Sequence, residues 1–174
     1  LAKEKRVLDL LEATRRLRHA RFALVGDGPQ RAELERLFPA DRTVFTGYLR
    51  GAPLAEAFAS ADVFAFPSDT DTFAQVVLQS MASAVPVVVA AATAPAGLVP
   101  DGVAGLHAEA RSPAAFAEGI GRVIDDDMLR GRLAVGALAA VEGYSWSSLV
   151  QSLEGMLAST SHDVAGVSAT RPRD

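Results

Sequence analysis

Short apolar runs and longer amphipathic stretches take turns along nearly the whole chain. Residues 3–19 space Val7, Leu10, Leu11 and Leu17 at helical intervals with charges between them, which predicts a helix. Phe22-Ala23-Leu24-Val25 is a continuous apolar run, the pattern of a strand covered on both faces. Gly26-Asp27-Gly28-Pro29 ends it, with glycine permitting a tight turn and proline suiting a first helical position; a charged helix follows to about Leu37. Thr43-Val44-Phe45-Thr46 reads as a second strand, and Pro53 opens a helix through about Ser60. A third strand over 62–66, a helix over 72–84 and a fourth strand, Pro86-Val87-Val88-Val89-Ala90, complete the regular part.

Beyond it the order loosens. Asp101-Gly102 signals a turn, flanked by short segments that could pair. Ser112-Pro113 caps a helix to about Ile124 with Phe116, Ile120 and Val123 on one side, and a further helix covers about 127–141. Ser145 can cap a last helix carrying Trp146, Leu149, Val150, Leu153 and Leu157. Residues 161–174 show no periodicity and are expected to be a mobile tail.

Alternating strands and helices imply an α/β fold: a Rossmann-like parallel sheet with right-handed crossovers and helices on both faces. In such a sheet a ligand lies beyond the carboxyl ends of the strands. The turns at 26–29, 46–51, 67–72 and 90–95 are therefore the places to look.

Composition narrows the options. With 174 residues, 49% of them apolar, the chain fits one domain able to bury a core. A formal charge of −4 and a pI near 5.4 argue against nonspecific nucleic-acid binding. The densest basic patch, Arg15, Arg16 and Arg18, reads as a solvated helix face. Cysteine is absent, which excludes disulfides and thiolate metal sites, and His19, His107 and His162 lack metal-ligand spacing, so neither metal nor cofactor is expected. No long apolar run or signal-peptide pattern is visible. The expectation is a cytoplasmic protein, compatible with a peripheral position at the inner membrane surface.

The chemistry concentrates in residues 68–82. A strand runs into a polar turn, and the helix expected next opens near Asp71 and carries Gln79 two turns on. That layout sets a carboxylate and an amide along one side of a helix whose N-terminal amides face the strand ends, which suits a phosphorylated, hydroxyl-rich ligand. Alternatively Asp71, like Asp69 or Thr72, caps the helix, and Gln79 faces solvent. The Gly26-to-Pro29 turn is either a plain strand-to-helix connection or a ligand contact. It is not the dinucleotide fingerprint, whose third glycine is missing. Backbone groups beside Gly47 could read a base edge.

Taken in order, these blocks resemble the C-terminal half of the family-four glycosyltransferases of GT-B fold, over about residues 1–158. Leu1-Ala2-Lys3-Glu4-Lys5 looks like the family's Arg-Leu-x-x-Glu-Lys-Gly segment. Val25-Gly26-Asp27-Gly28-Pro29, Val44-Phe45-Thr46-Gly47-Tyr48 and Ala59-Ser60-Ala61-Asp62-Val63-Phe64 before Pro67-Ser68 match further blocks. Met81 to Val88, Asp101 to Leu106 and Tyr144-Ser145-Trp146 complete the set. The resemblance implies retaining transfer of a hexose from a nucleotide diphosphate sugar to a lipid or glycan acceptor, without a metal. Lys5 would neutralise the diphosphate, and Gly26 and Gly28 would let backbone approach the donor. Asp71 takes the place of the family's first motif Glu, which binds sugar hydroxyls, and Gln79 that of the second, which binds ribose hydroxyls. Phe73, Ala74, Gln75 and Val76 would offer helix-start amides to sugar and phosphates. Such groups stabilise the leaving diphosphate without proton transfer.

Departures from the family pattern accompany the matches. Asp71 is a methylene shorter than Glu, Gln79 lacks the charge, and Ala74 stands where glycine is usual. Thr93-Ala94 replaces a glycine pair, and Arg6 replaces the glycine after the lysine. By analogy a diphosphate-binding arginine and the first strand would fall just before Leu1, and the N-terminal acceptor-binding domain is not in this sequence. The expected organisation is a donor-binding domain over 1–160, lacking its first strand and inactive alone, with 146–158 packing across to the other domain. A noncatalytic pseudo-glycosyltransferase that binds or scaffolds a partner is the alternative from another class. A sugar-nucleotide epimerase of the same fold fits the ending less well.

Overall fold

Val87–Ala90, the most apolar run in the sequence, is a strand with all four residues buried. The computed structural model describes residues 1–72 and 74–144. This strand, β4, lies between β3 (Phe64–Phe66) and β5 (Gly105–Ala108) in an all-parallel three-stranded sheet. β1 (Phe22–Val25) and β2 (Thr43–Gly47) make a separate parallel pair, with an irregular step at Val25, which lies opposite Gly47. The expected parallel α/β arrangement is present, but divided: no hydrogen-bonded ladder joins β1 to β3. Side chains make the connection, since Leu10 and Phe22 pack against the apolar clusters of both sheets.

Helices cover both sides of the larger sheet. α1 (Leu11–Arg16) and α5 (Pro113–Asp125) supply Ala13, Leu17 just past α1, Phe116, Ile120 and Val123 to a core with Val88, Ala90, Leu106 and Ala108. α5 comes close because residue 119 is glycine; a Cβ there would lie 3.1 Å from Val88. Its start is as expected, with Pro113 in the first turn and the Ser112 hydroxyl accepting from the Ala115 amide at 3.3 Å. α4 (Gln75–Ala82) packs on β3 and β4, burying Val77 and Met81. Around the smaller sheet, α2 (Arg31–Leu37) places Leu34 against Leu24 and Phe38, and Phe38 meets Phe45 edge-on. α3 (Ala52–Ala59) buries Phe58 edge-on against Phe64. α6 (Asp127–Glu142) begins where the Asp126 carboxylate accepts from the Leu129 amide at 2.9 Å. Residues 1–140 form one unit, and a second begins at Val141.

Three expectations change. The helix read over 3–19 is a helix only at Leu11–Arg16; Lys3–Lys5 and Val7–Leu10 are 3-10 turns joined at Arg6, whose φ of 53° is left-handed. Lys3-Glu4-Lys5-Arg6 has no apolar side chain to hold a helix on the core, and contacts from distant turns take it instead. The helix read over 72–84 begins only at Gln75, so Asp71 stands before the helix rather than on it. Finally, Asp101-Gly102 does turn, with Gly102 at φ 71°, but the segment after it pairs in parallel with β4 rather than with its neighbour. Phe73, the helix expected from Ser145 with its 146–158 stretch, and the tail 161–174 lie outside the described residues.

Candidate functional site

The parallel strands of the larger sheet end at one rim, and the turn after β3 carries the centre of the site. Pro67 and Ser68 are buried there, and the Ser68 hydroxyl donates to the Glu4 carbonyl at 3.3 Å, tying this turn to the chain start. Three residues after Ser68, Asp71 Oδ1 accepts from Lys5 Nζ at 2.6 Å, although 66 positions separate the two. The left-handed bend at Arg6 separates the two 3-10 turns directly after Lys5.

The pair is asymmetric. Lys5 keeps 43% of its side chain exposed and Asp71 only 21%. Burial alone would lift the Asp71 carboxyl, but the Lys5 hydrogen bond, the neighbouring Ser68 hydroxyl and the Lys5 charge outweigh it and hold the group below its usual range. Asp71 is therefore a carboxylate near neutrality. The nearby Ser68 hydroxyl is directed at the Glu4 carbonyl, and Asp71 Oδ2, buried, makes no hydrogen bond of good geometry among the described residues. An orphaned acceptor of this kind costs about 1–3 kcal/mol and is relieved by any donor that reaches it. The site thus offers a half-exposed ammonium and a buried acceptor side by side.

Helix α4 adds polar backbone. No side chain caps it: Ala74 occupies the N-cap position, and neither Asp69, Asp71 nor Thr72 fills that role. Asp69 is instead bonded to Arg111 at 2.7 Å. The amides of Gln75 and Val76 lie in the uncapped first turn, the electropositive end of the helix. Ala74 is buried, while Gln75 and Val76 are exposed. Gln79 follows Gln75 by one helical turn and is exposed; among the described residues its side chain has no partner, and no hydrogen bond joins it to the Lys5–Asp71 pair.

The glycine turns of the smaller sheet are bound to each other, with the Gly26 amide donating to the Gly47 carbonyl at 2.7 Å. Gly26 is open, since a Cβ added there would meet nothing within 4 Å. At Gly28 the close approach is made by the chain itself: a Cβ would lie 2.5 Å from the backbone nitrogen of Leu1, and Leu1 also bonds Asp27 and Gln30. Arg31 braces this corner, reaching Asp27 at 3.2 Å, Glu35 at 2.8 Å and the Phe45 carbonyl at 3.4 Å. The Gly47 carbonyl, already accepting from Gly26 and from the Thr46 hydroxyl, is largely committed. Among the described residues no three His, Asp or Glu side chains converge as a metal site. No helix among them is long and apolar enough to cross a membrane.

Sequence reasoning gave Ser68 and Arg6 no contact of their own and did not single out Arg111. The Arg111–Asp69 bond spans 42 positions and joins two loops, so no periodicity signals it. Arg6 gave a partial sign, because it stands where glycine is usual and does adopt a left-handed φ.

Comparison with known proteins fits this architecture. Residues 1–126 match the family model for glycosyl transferases group 1. A GDP-mannose-dependent alpha-mannosyltransferase of Mycobacterium tuberculosis is 37% identical over 160 residues, covering 89% of this chain and 40% of that protein. The sulfoquinovosyl transferase of Arabidopsis thaliana is 44% identical over 95 residues, covering 54% of this chain and 19% of that protein. Anabaena HepE in complex with UDP-glucose superposes with a TM-score of 0.75 at 26% identity, over 91% of this chain and 46% of that one. The chain spans less than half the length of these proteins. With a family match over most of its residues and the same parallel α/β architecture as such transferases, it belongs to the group 1 glycosyl transferases.

Proposed function

We propose that this chain is the nucleotide-sugar donor-binding half of a retaining glycosyltransferase that moves a hexose to a lipid or glycan acceptor. The single observation that carries the reading is the Lys5–Asp71 pair with its buried, unpartnered Asp71 oxygen beside the open start of α4. A diphosphate takes the Lys5 ammonium and the amides of Gln75 and Val76, where charge develops as the sugar–phosphate bond breaks. A sugar hydroxyl donates to Asp71 Oδ2, which removes the orphan. Gly26 lets backbone approach the donor, Gln79 receives ribose hydroxyls, and the scheme uses no metal. The relatives' names support the donor class: one group is GDP-mannose-dependent, and one solved neighbour holds UDP-glucose. Acceptor binding and the rest of the cleft come from another domain.

The noncatalytic reading draws on a different observation. Gln79 is uncharged and exposed, and no hydrogen bond joins it to the Lys5–Asp71 pair. Calorimetry of the chain with UDP-glucose and GDP-mannose separates the two readings. Saturable binding that weakens at least tenfold in both Lys5→Ala and Asp71→Ala supports donor binding. Absence of binding at about 5 mM of either sugar nucleotide refutes it and favours the scaffold.

A further inference from the structure

Asp69 precedes Asp71 by two residues, and its side chain is only 12% exposed. Arg111, in the loop after β5, donates to it from Nε at 2.7 Å. Arg111 adopts a φ of 63°, a left-handed conformation that residues other than glycine enter at a cost. The other arginine in that conformation among the described residues is Arg6, at φ 53°, which pairs with Asp9 at 2.8 Å; its charge lies close enough to favour the Asp69 carboxylate, though no ion pair joins the two. Two ion pairs, Arg6–Asp9 and Arg111–Asp69, therefore stand near one another. Arg6 follows Lys5 directly, and Asp69 precedes Asp71 by two residues, so the two pairs flank both partners of the Lys5–Asp71 bond. Arg111 itself contacts neither of them among the described residues.

We propose that Arg111 is a positioning residue: by gripping Asp69 from the loop after β5, it fixes the 68–72 turn where Asp71 meets Lys5. The strain at Arg111 is tolerated because it anchors the 68–72 turn, whose Ser-Asp-Thr-Asp-Thr side chains are all polar. The consequence for donor binding rests on the function proposed above; the positioning does not.

The decisive measurement is the Asp71 carboxyl titration, followed by NMR on the whole chain in Arg111→Gly, Arg111→Lys and Asp69→Asn. Arg111→Gly relieves the left-handed strain, so its melting temperature should not fall, yet the Asp71 titration should move up by about half to one pH unit. Arg111→Lys should restore most of that shift. Asp69→Asn separates placement from simple charge: removing a nearby anion through space would lower the Asp71 pKa, whereas losing the turn's anchor raises it. An unmoved titration in Arg111→Gly, or a downward move in Asp69→Asn, overturns the proposal. The same variants should weaken UDP-glucose or GDP-mannose binding about three- to tenfold. A wild-type chain that binds neither refutes donor binding and leaves the titration test standing.

Discussion

Replacing Lys5 with methionine keeps the apolar stem and removes the ammonium that Asp71 Oδ1 accepts from at 2.6 Å. The carboxylate, 21% exposed and already short of a partner at Oδ2, is then left alone. Breaking a fully buried pair costs about 3–5 kcal/mol, and losing an exposed one costs about 0–1 kcal/mol. Because the Lys5 side chain is 43% exposed, solvent screening discounts the loss, and about 1–3 kcal/mol is expected at pH 7. The pH dependence carries the sign. In the wild type the folded Asp71 pKa lies below its ordinary value, so the pair's stabilisation is full above about pH 3.9 and is lost as pH falls through the folded value. In Lys5→Met burial outweighs the remaining Ser68 hydroxyl and raises the folded pKa, so the variant loses stability as pH rises through that value. The gap between the two proteins should therefore open across roughly pH 3 to pH 6 and stay flat above. Urea unfolding over that range measures it directly. The double variant Lys5→Met/Asp71→Asn should recover much of the loss, because an uncharged amide tolerates burial better than an unpaired carboxylate. A gap that does not change with pH, or a double variant no more stable than Lys5→Met, would refute this account of the pair.

Three further outcomes follow from other parts of the chain. Ala84 sits at φ 57° just after α4, with the Val85 amide bonded back to the Ser80 carbonyl at 3.0 Å; Ala84→Gly should raise stability by about 0.5–1 kcal/mol in urea titrations, the left-handed cost outweighing the extra chain entropy. Phe116 is fully buried beneath β4 and β5, so Phe116→Ala should cost about 3–5 kcal/mol and shift the urea midpoint accordingly. Gln79→Glu should bind nucleotide sugar about tenfold more tightly, since a charged acceptor strengthens a ribose hydroxyl bond; weaker binding in calorimetry would remove Gln79 from the ribose role.

Where local physics decides, the sequence could be read directly. The Ser112-Pro113 start of α5, its stripe of Phe116, Ile120 and Val123, and the doubly buried β4 are each set by neighbours in the chain. Lys5 and Asp71, each assigned to the donor by the family pattern, are hydrogen-bonded to one another. Other features depend on partners far along the chain. β5, Gly105-Leu106-His107-Ala108, has no β-branched residue to mark it as a strand, and nothing local says that it pairs in parallel with β4. The break at Arg6 follows from contacts made by Ser68 and Asp71, more than sixty positions away. The late start of α4 has the same origin, since Asp69 and Asp71 are engaged by Arg111 and Lys5 and are not free to cap it.

Leu10 and Phe22 each touch the apolar clusters of both sheets. Neither layer can separate without stripping cover from side chains that the other needs. Thermal melting of residues 1–140 should consequently be all-or-none, the smaller strand pair surviving no longer than the larger triplet.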